Sequence, residues 1–387
     1  MKIGLMGLGN VGIGVYDLIN NRRIVNASIV KVLVRNTKKE RKNVDMNLLT
    51  DNKDDLDNID ILIEATGDYD LAYEMIKKHL IMGHSVVTAN KEVIASNIKE
   101  LTKLALDNNA ILLYEASVGG GIPIISSLMQ SKRINKFDKI IGILNGTTNF
   151  ILSKCFNEGK TLDEAIKEAI RLGFAEADPS ADLKGLDMAR KMAILSKIAY
   201  NVNFKVNEMN VFGLNSMTEK DINFIKEKGL LLKFVAESRF ENDNCFIDVN
   251  PIVISKSHSL AAINNEFNVV VLSGDVSNDL LFSGKGAGTY PTAYAILDDV
   301  CKILNNDTIC YPTFDKEITL GLNQENNRYY IRKGDNCYFT SVIPFEEFTK
   351  LEYDFYAIIK DWANELWQTH NSFFFYSYNF CPKHIFN

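Results

Sequence analysis

The chain has 387 residues, 46% apolar and 24% charged, with a formal net charge of -6. This length fits two or three domains with a sizeable core. The negative balance argues against a general nucleic-acid or acidic-membrane surface, and no apolar run is long enough to span a bilayer. The six cysteines (155, 245, 301, 310, 337, 381) show no C-x-x-C and no zinc-ligand spacing, so reduced thiols in a cytoplasmic protein are expected.

Lys2 to Met6 is an apolar run that predicts a first strand. Gly7-Leu8-Gly9-Asn10-Val11-Gly12 follows it directly, and helical spacing continues through Val15, Leu18 and Ile19. This is G-x-G-x-x-G with a strand before and a helix after, the context in which the pattern binds a dinucleotide. Gly7 allows the tight turn, Gly9 lets the backbone approach a pyrophosphate, and Gly12 lets helix and strand pack closely. A second strand is expected at Ser28 to Leu33. An NAD-selective site usually places Asp or Glu at its end, but the chain here reads Val34-Arg35-Asn36-Thr37-Lys38-Lys39. Arg35 suits a 2′-phosphate, so NADP(H) is expected in preference to NAD(H). The basic run Lys38 to Lys42 reads equally well as a solvated loop.

A strand at Ile59 to Glu64 runs into Ala65-Thr66-Gly67, placing Thr66 at the carboxyl edge of the sheet, where these folds bind ligands. A helix near Leu71 to Leu80 and a strand at Ser85 to Thr88 come next. That strand ends in Ala89-Asn90-Lys91-Glu92, so Lys91 is a cation facing the same crevice. Strand Ile111 to Tyr114 ends at Glu115. The alternation of strands and helices means a doubly wound sheet.

From Glu115 the chain reads EASVGGGIP, whose consecutive glycines expose backbone carbonyls. Residue types alone favour a hinge there, with a hard-cation site as the alternative. Helix signals at Ile124 to Met129 precede a strand at Asp138 to Leu144. Asn145-Gly146-Thr147-Thr148-Asn149 follows, either a polar substrate loop or an N-cap to a helix at 150–156. An amphipathic helix at Thr161 to Leu172 leads into GFAEADPSADLKGLDMARK, which sets Glu176, Asp178, Asp182 and Asp187 ahead of Lys191. The chain is helical from about Leu183, so Asp187 and Lys191 lie one turn apart on one face. An isolated pair of that kind is ordinarily a solvated surface pair. Carboxylates beside a lysine can also grip a substrate ammonium while the lysine moves a proton. Short apolar runs at Leu230–Val235, Cys245–Val249 and Val269–Leu272 suggest a mixed or antiparallel sheet. A glycine-rich loop from Phe282 to Thr292, containing Gly288, then opens a helix through Val300, either closing over the cofactor or forming a flexible turn.

With these motifs in view, the chain resembles homoserine dehydrogenases from Met1 to about Asp315. GLGNVG, TANKE, YEASVGGGIP, GILNGTTNFIL, GFAEADPSADLKGLDMARK and GKGAGTYPTA occur in the family's order. The resemblance implies reversible NAD(P)H-dependent reduction of L-aspartate 4-semialdehyde to L-homoserine, in threonine, methionine and isoleucine synthesis. It implies Lys191 as proton donor and acceptor, Glu176, Asp182 and Asp187 as substrate carboxylates, and Lys91 at the cofactor–substrate junction, with Thr147 a further substrate candidate. It implies Gly288 at the cofactor. It also implies a monovalent cation, Na+ or K+, at Glu115, Val118, Gly120 and Ile122, against the hinge reading. A homodimer is expected, with no nucleic-acid or membrane partner.

The expected fold class is α/β: a Rossmann-type doubly wound parallel sheet plus an α+β substrate and dimerisation domain with a mixed sheet. The expected division is 1–128 for the cofactor, with the chain returning to it around 286–312, and 129–285 for substrate and dimerisation. Residues 320–387 follow the family less closely. Asn327 to Arg332 resembles the opening strand of an ACT module, but its D-x-P-G-V-L continuation is absent, so threonine feedback does not follow. A helix around Phe348 to Trp367 and an aromatic run, Phe373 to Tyr378, are expected instead, either regulatory or packed against a partner subunit. Two other functions compete: a non-catalytic NADP-binding regulatory protein and another amino-acid semialdehyde dehydrogenase. An acylating enzyme would need a nucleophilic cysteine at a strand end, and Cys155 falls inside an expected helix.

Overall fold

The computed structural model describes residues 1–307, 311–322, 325 and 327–360. Strands β1 (Lys2–Met6), β2 (Ser28–Leu33), β3 (Leu49–Thr50), β4 (Ile61–Glu64), β5 (Ser85–Thr88) and β6 (Leu112–Leu113) form one sheet in the order β3-β2-β1-β4-β5-β6. All its pairings are parallel. Helices α1 (Asn10–Asn20), α2 (Tyr69–Ile81) and α3 (Lys91–Asp107) cross between its strands. Successive side chains of a strand face opposite ways, so Ile3, Leu5, Ile61 and Ile63 share a core with Val15 and Ile19 of α1. Met6, Leu62 and Val86 share the other with Met75 of α2 and Ile98 of α3.

The chain continues through α4 (Ile124–Ser131), β7 (Phe137–Ile143), α5 (Gly146–Asn157), α6 (Leu162–Arg171), α7 (Ser180–Leu183), α8 (Leu186–Tyr200), β8 (Val202–Asn203), β9 (Asn210–Val211) and α9 (Glu219–Glu227). Two long hairpins follow, β10 (Leu231–Glu241) with β11 (Asn244–Ile254), and β12 (Phe267–Gly274) with β13 (Asn278–Lys285). Then come α10 (Thr289–Leu304), β14 (Lys316–Glu317), β15 (Arg328–Lys333), β16 (Asn336–Phe339), α11 (Phe345–Phe348) and β17 (Phe355–Ile359). The second sheet is nine-stranded, in the order β13-β12-β7-β10-β11-β17-β15-β16 with β9 also on β11. It is mixed, because β11 runs antiparallel to β10 and parallel to β17. The chain is therefore α/β in the sense expected, a Rossmann-type sheet joined to a mixed one.

Helix starts follow from capping chemistry. Side chains of Asp68, Asn90 and Asn145 accept from Leu71, Val93 and Thr148 amides, and Thr161 with Glu164 forms a capping box ahead of α6. Helix α10 returns to the first sheet, where Ala293, Ile296 and Val300 join the core of α1 and β1. The contact is close: a Cβ on Gly14 would stand 2.9 Å from Thr289 Cγ2.

Three expectations are corrected. The helix read from Leu183 through Lys191 is broken at Gly185, whose φ of +79° suits glycine and whose missing Cβ leaves room for the Phe234 ring. The loop read from Phe282 starts later, because β13 runs to Lys285. The helix expected at Phe348 to Trp367 is instead the end of α11 and the strand β17, while its portion beyond residue 360, with the Phe373–Tyr378 run, lies outside the described residues. Residues 355–359 are buried on both faces between β11 and β15, so they show no alternation.

The last strands are anchored by a buried ion pair. Arg332 Nε donates to Asp221 Oδ1 at 2.9 Å, and the same carboxylate accepts from Tyr330 Oη at 2.8 Å and the Thr218 amide at 2.6 Å. Tyr329 stacks on Phe348 with ring centroids 3.8 Å apart. Cys155, Cys245, Cys301 and Cys337 are unpaired. No helix among the described residues is long and apolar enough to cross a membrane.

Candidate active site

The carboxyl ends of β1, β4 and β5 open on one edge of the first sheet. Gly7 has a φ of +89°, and a Cβ there would stand 2.7 Å from Ala65 O. A Cβ on Gly12 would collide with Gly7 O, whereas Gly9 faces open space. Gly9 is also the N-cap of α1, so the free helix amides point into that space. If the loop holds the dinucleotide expected of it, Gly12→Ala raises its dissociation constant by about tenfold or more. Nicotinamide fluorescence titration checks this, and unchanged affinity would remove the loop from the cofactor site.

Beyond the loop, Glu64 is fully buried at the end of β4. It accepts from Thr66 N and Oγ1, both at 2.7 Å, and from Thr88 Oγ1 at 2.5 Å. Burial raises its pKa against those bonds. Thr66 is thus fixed at the strand end. Arg35 is exposed and pairs with Asp68 Oδ2 at 2.7 Å.

Asp187 is the hub of the charged cluster. Its Oδ1 lies 2.6 Å from Lys91 Nζ, at the start of α3, and its Oδ2 lies 2.7 Å from Lys191 Nζ, one turn along α8. Lys191 Nζ also donates to Leu144 O at 2.6 Å. An ammonium has three N–H donors, so one remains for a substrate oxygen. Asn145 Nδ2 donates to both Asp182 Oδ1 (2.8 Å) and Asp187 Oδ2 (3.0 Å) while its Oδ1 caps α5. Burial alone would raise Asp187, but Lys191 and Lys91 outweigh it and hold the carboxyl far below the usual carboxylate range. Lys191 is lowered, chiefly by burial and further by Lys91, while Asp187 pulls it back.

The structure therefore brings together Lys91, Asp182, Asp187 and Lys191. It does not bring in Glu176, which is exposed ahead of α7 with no partner among the described residues. Thr147 Oγ1 donates to Phe174 O at 2.5 Å, tying that segment to α5. Two groups went unassigned in the sequence. Leu144 O has no side-chain signature. Asn268 on β12 is fully buried, with neither amide atom partnered among the described residues, and is pressed against Gly286.

Glu115 is also buried, with Oε1 accepting from Ile125 N at 2.7 Å and Oε2 from Ser126 N at 2.8 Å, at the start of α4. Burial raises its pKa against Ser126 and Lys302, whose Nζ is 3.8 Å away. The neighbouring loop is wedged against the second glycine-rich loop. Gly121 N donates to Lys285 O at 3.1 Å, and a Cβ on Gly120 would stand 2.5 Å from Gly286 C. Among the described residues no donor reaches the carbonyls of Val118 and Gly120, whereas Ile122 O accepts from Ile124 N at 2.8 Å.

Residues 7–115 match the family model described as the NAD-binding domain of homoserine dehydrogenase, and residues 123–301 match the one described as homoserine dehydrogenase. The homoserine dehydrogenase of Bacillus subtilis is 36% identical over 318 residues, 79% of this chain and 73% of that protein. The chain belongs to the homoserine dehydrogenase family. Its relatives include the Synechocystis enzyme, 37% identical over 79% of this chain and 73% of that protein. The crystal structure of a homoserine dehydrogenase from Thiobacillus denitrificans has a TM-score of 0.78 at 31% identity, covering 86% of this chain and 82% of that one. A hyperthermophilic archaeal homoserine dehydrogenase in complex with NADPH has a TM-score of 0.66 at 26% identity, covering 79% and 98%. As a homoserine dehydrogenase, the chain is an NAD(P)-dependent oxidoreductase acting on L-homoserine and L-aspartate 4-semialdehyde. The non-catalytic reading is not favoured.

Proposed function

We propose that Lys191 is the proton-transfer residue of this homoserine dehydrogenase, and the observation that carries the proposal is the shared carboxylate of Asp187 between Lys191 and Lys91. In homoserine oxidation, neutral Lys191 takes the hydroxyl proton as hydride leaves the same carbon. In the reverse direction its ammonium returns a proton to the carbonyl oxygen. The nicotinamide, when bound, accepts or supplies the hydride. Asp187 keeps Lys191 in place, and with Asp182 it presents negative charge to the substrate ammonium. Glu176 carries the family's third substrate carboxylate on the exposed segment ahead of α7, outside the cluster, and Thr147 holds that segment against α5. Lys91 binds at the junction of substrate and cofactor.

The cofactor is held by Gly7, Leu8, Gly9, Asn10, Val11 and Gly12 at its pyrophosphate, with Thr66, Lys91 and Gly288 around it. The first unit, 1–128 with the return around 286–312, carries it, and 129–285 carries the substrate. Arg35 selects NADP, supported by the lack of an acidic residue at the end of β2. A monovalent cation, Na+ or K+, fits Glu115, Val118, Gly120 and Ile122, because the donors are hard oxygens beside a buried carboxyl whose charge a cation would stabilise. The enzyme is a homodimer; exposed Leu281 and Phe267 on edge strand β13 and its neighbour offer a surface. It serves threonine, methionine and isoleucine synthesis in the cytoplasm.

The test is nicotinamide absorbance with L-homoserine and either NADP or NAD. NADP is expected to be preferred, and Arg35→Gln is expected to raise KM for NADP by about tenfold with little change for NAD. An unchanged ratio would overturn the role given to Arg35.

A further inference from the structure

Lys91 sits on α3, which belongs to the first sheet, while Asp187 and Lys191 sit on α8, which packs against the second. Their meeting depends on how one helix is seated on the other. Polar contacts mark successive turns of α3. Glu92 Oε1 pairs with Arg190 at 2.6 Å, Ala95 O accepts from Lys197 Nζ at 2.7 Å, and Lys99 pairs with Glu317 at 2.6 Å. Arg190 and Lys197 are two helical turns apart, so they share a stripe of α8 that adjoins the one carrying Asp187 and Lys191.

Lys197 differs from the others. Glu92, Arg190 and Glu317 line an open cleft of about 980 Å³. Lys197 is 1% exposed, and its ammonium lies 5.0 Å from the Phe204 ring centroid. Burial pushes its pKa down to about 8, against the attraction of Glu317. A methionine would fill the same space without desolvating a charge. What the ammonium adds is a directional bond from α8 to one carbonyl of α3.

We propose that Lys197 is a positioning residue for the reaction, seating α8 on α3 at Ala95 so that Lys91 and Lys191 meet opposite oxygens of Asp187. The inference rests on Lys191 as the proton-transfer group. Slippage of α3 would withdraw Lys91 from Asp187. Lys191 would then lose the repulsion of Lys91 and take a larger share of Asp187, with Asp182 still nearby. Each change favours its ammonium form, so the acid limb of homoserine oxidation would move to higher pH.

The experiment compares Lys197→Met and Lys197→Arg with the full-length enzyme, recording kcat and KM across pH, NADPH affinity and thermal unfolding. Lys197→Met is expected to lose about tenfold or more in kcat with NADPH affinity unchanged, because small misplacements of reacting groups cost this much. Its acid limb should move alkaline by about half a pH unit, and Lys197→Arg should restore part of both. A folded Lys197→Met with native kcat and an unmoved limb would overturn the proposal. If Lys197→Met does not fold, Glu92→Gln serves on the outer contact, expected to show a smaller shift of the same sign, and an unmoved limb there overturns the proposal. Lys191→Met is run alongside: if it stayed active, the proton assignment would fall, whatever Lys197 does.

Discussion

Lys191→Met is expected to lower kcat for homoserine oxidation by about 10²–10⁴-fold while leaving NADPH binding intact. The side chain touches Leu144 O and Asp187 on α8, whereas the glycine loop belongs to the β1–α1 turn. Removing it leaves Asp187 paired with Lys91, so no carboxylate is stranded in the interior. The loss should therefore fall on turnover and not on folding. The pH dependence has a definite sign. Oxidation needs the neutral amine, so its rate rises as pH climbs through the pKa of Lys191. Reduction of the semialdehyde needs the ammonium and falls across the same interval. Burial and Lys91 place that interval below the usual lysine range. Rate profiles in both directions measure it. A Lys191→Met enzyme that kept the wild-type acid limb would show that some other group carries the proton.

Arg332→Leu is expected to destabilise the whole protein by about 3–5 kcal/mol, read by urea unfolding, because it strands a fully buried carboxylate. Asp221 would keep Thr218 and Tyr330 but lose the cation it pairs with among the described residues, and Arg332 also donates to Ser216 O at 2.7 Å. The site residues are untouched, so the folded fraction should turn over normally. Were residues 328–360 a detachable module, the variant would instead show a separate early transition with the rest of the protein unaffected. Strand β17 lies between β11 and β15, which favours one transition.

Much of the first sheet was legible because short apolar runs alternate with helical spacing, and the first of them runs straight into a glycine fingerprint. The strands Lys2–Met6, Ser28–Leu33 and Ser85–Thr88 were read with the bounds they have. The second sheet was less legible. Phe355 to Ile359 is apolar on both faces and carries no period to separate strand from helix. β13 alternates, but its exposed edge position made it look like loop. In the site, the spacing of Asp187 and Lys191 gave their shared helical face. The approach of Lys91 could not be read, since it depends on how α3 sits on α8. The segment opening at Asn145 reads as either a cap or a ligand loop, and the Asn145 amide serves both the helix and the two carboxylates.

The packing of α10 on α1 has a consequence in time. Gly14 is made early in synthesis, but Thr289 and Ala293, which cover it, follow only after β7 and the hairpins β10–β13 of the second sheet. At about 5–20 residues per second, the apolar stripe of α1 stays uncovered on the ribosome for on the order of tens of seconds. The nucleotide-binding half is therefore the first begun and among the last completed. A nascent chain stalled before residue 289 carries a sheet with one face covered by α1 alone, which makes that interval the one in which a holding chaperone matters most.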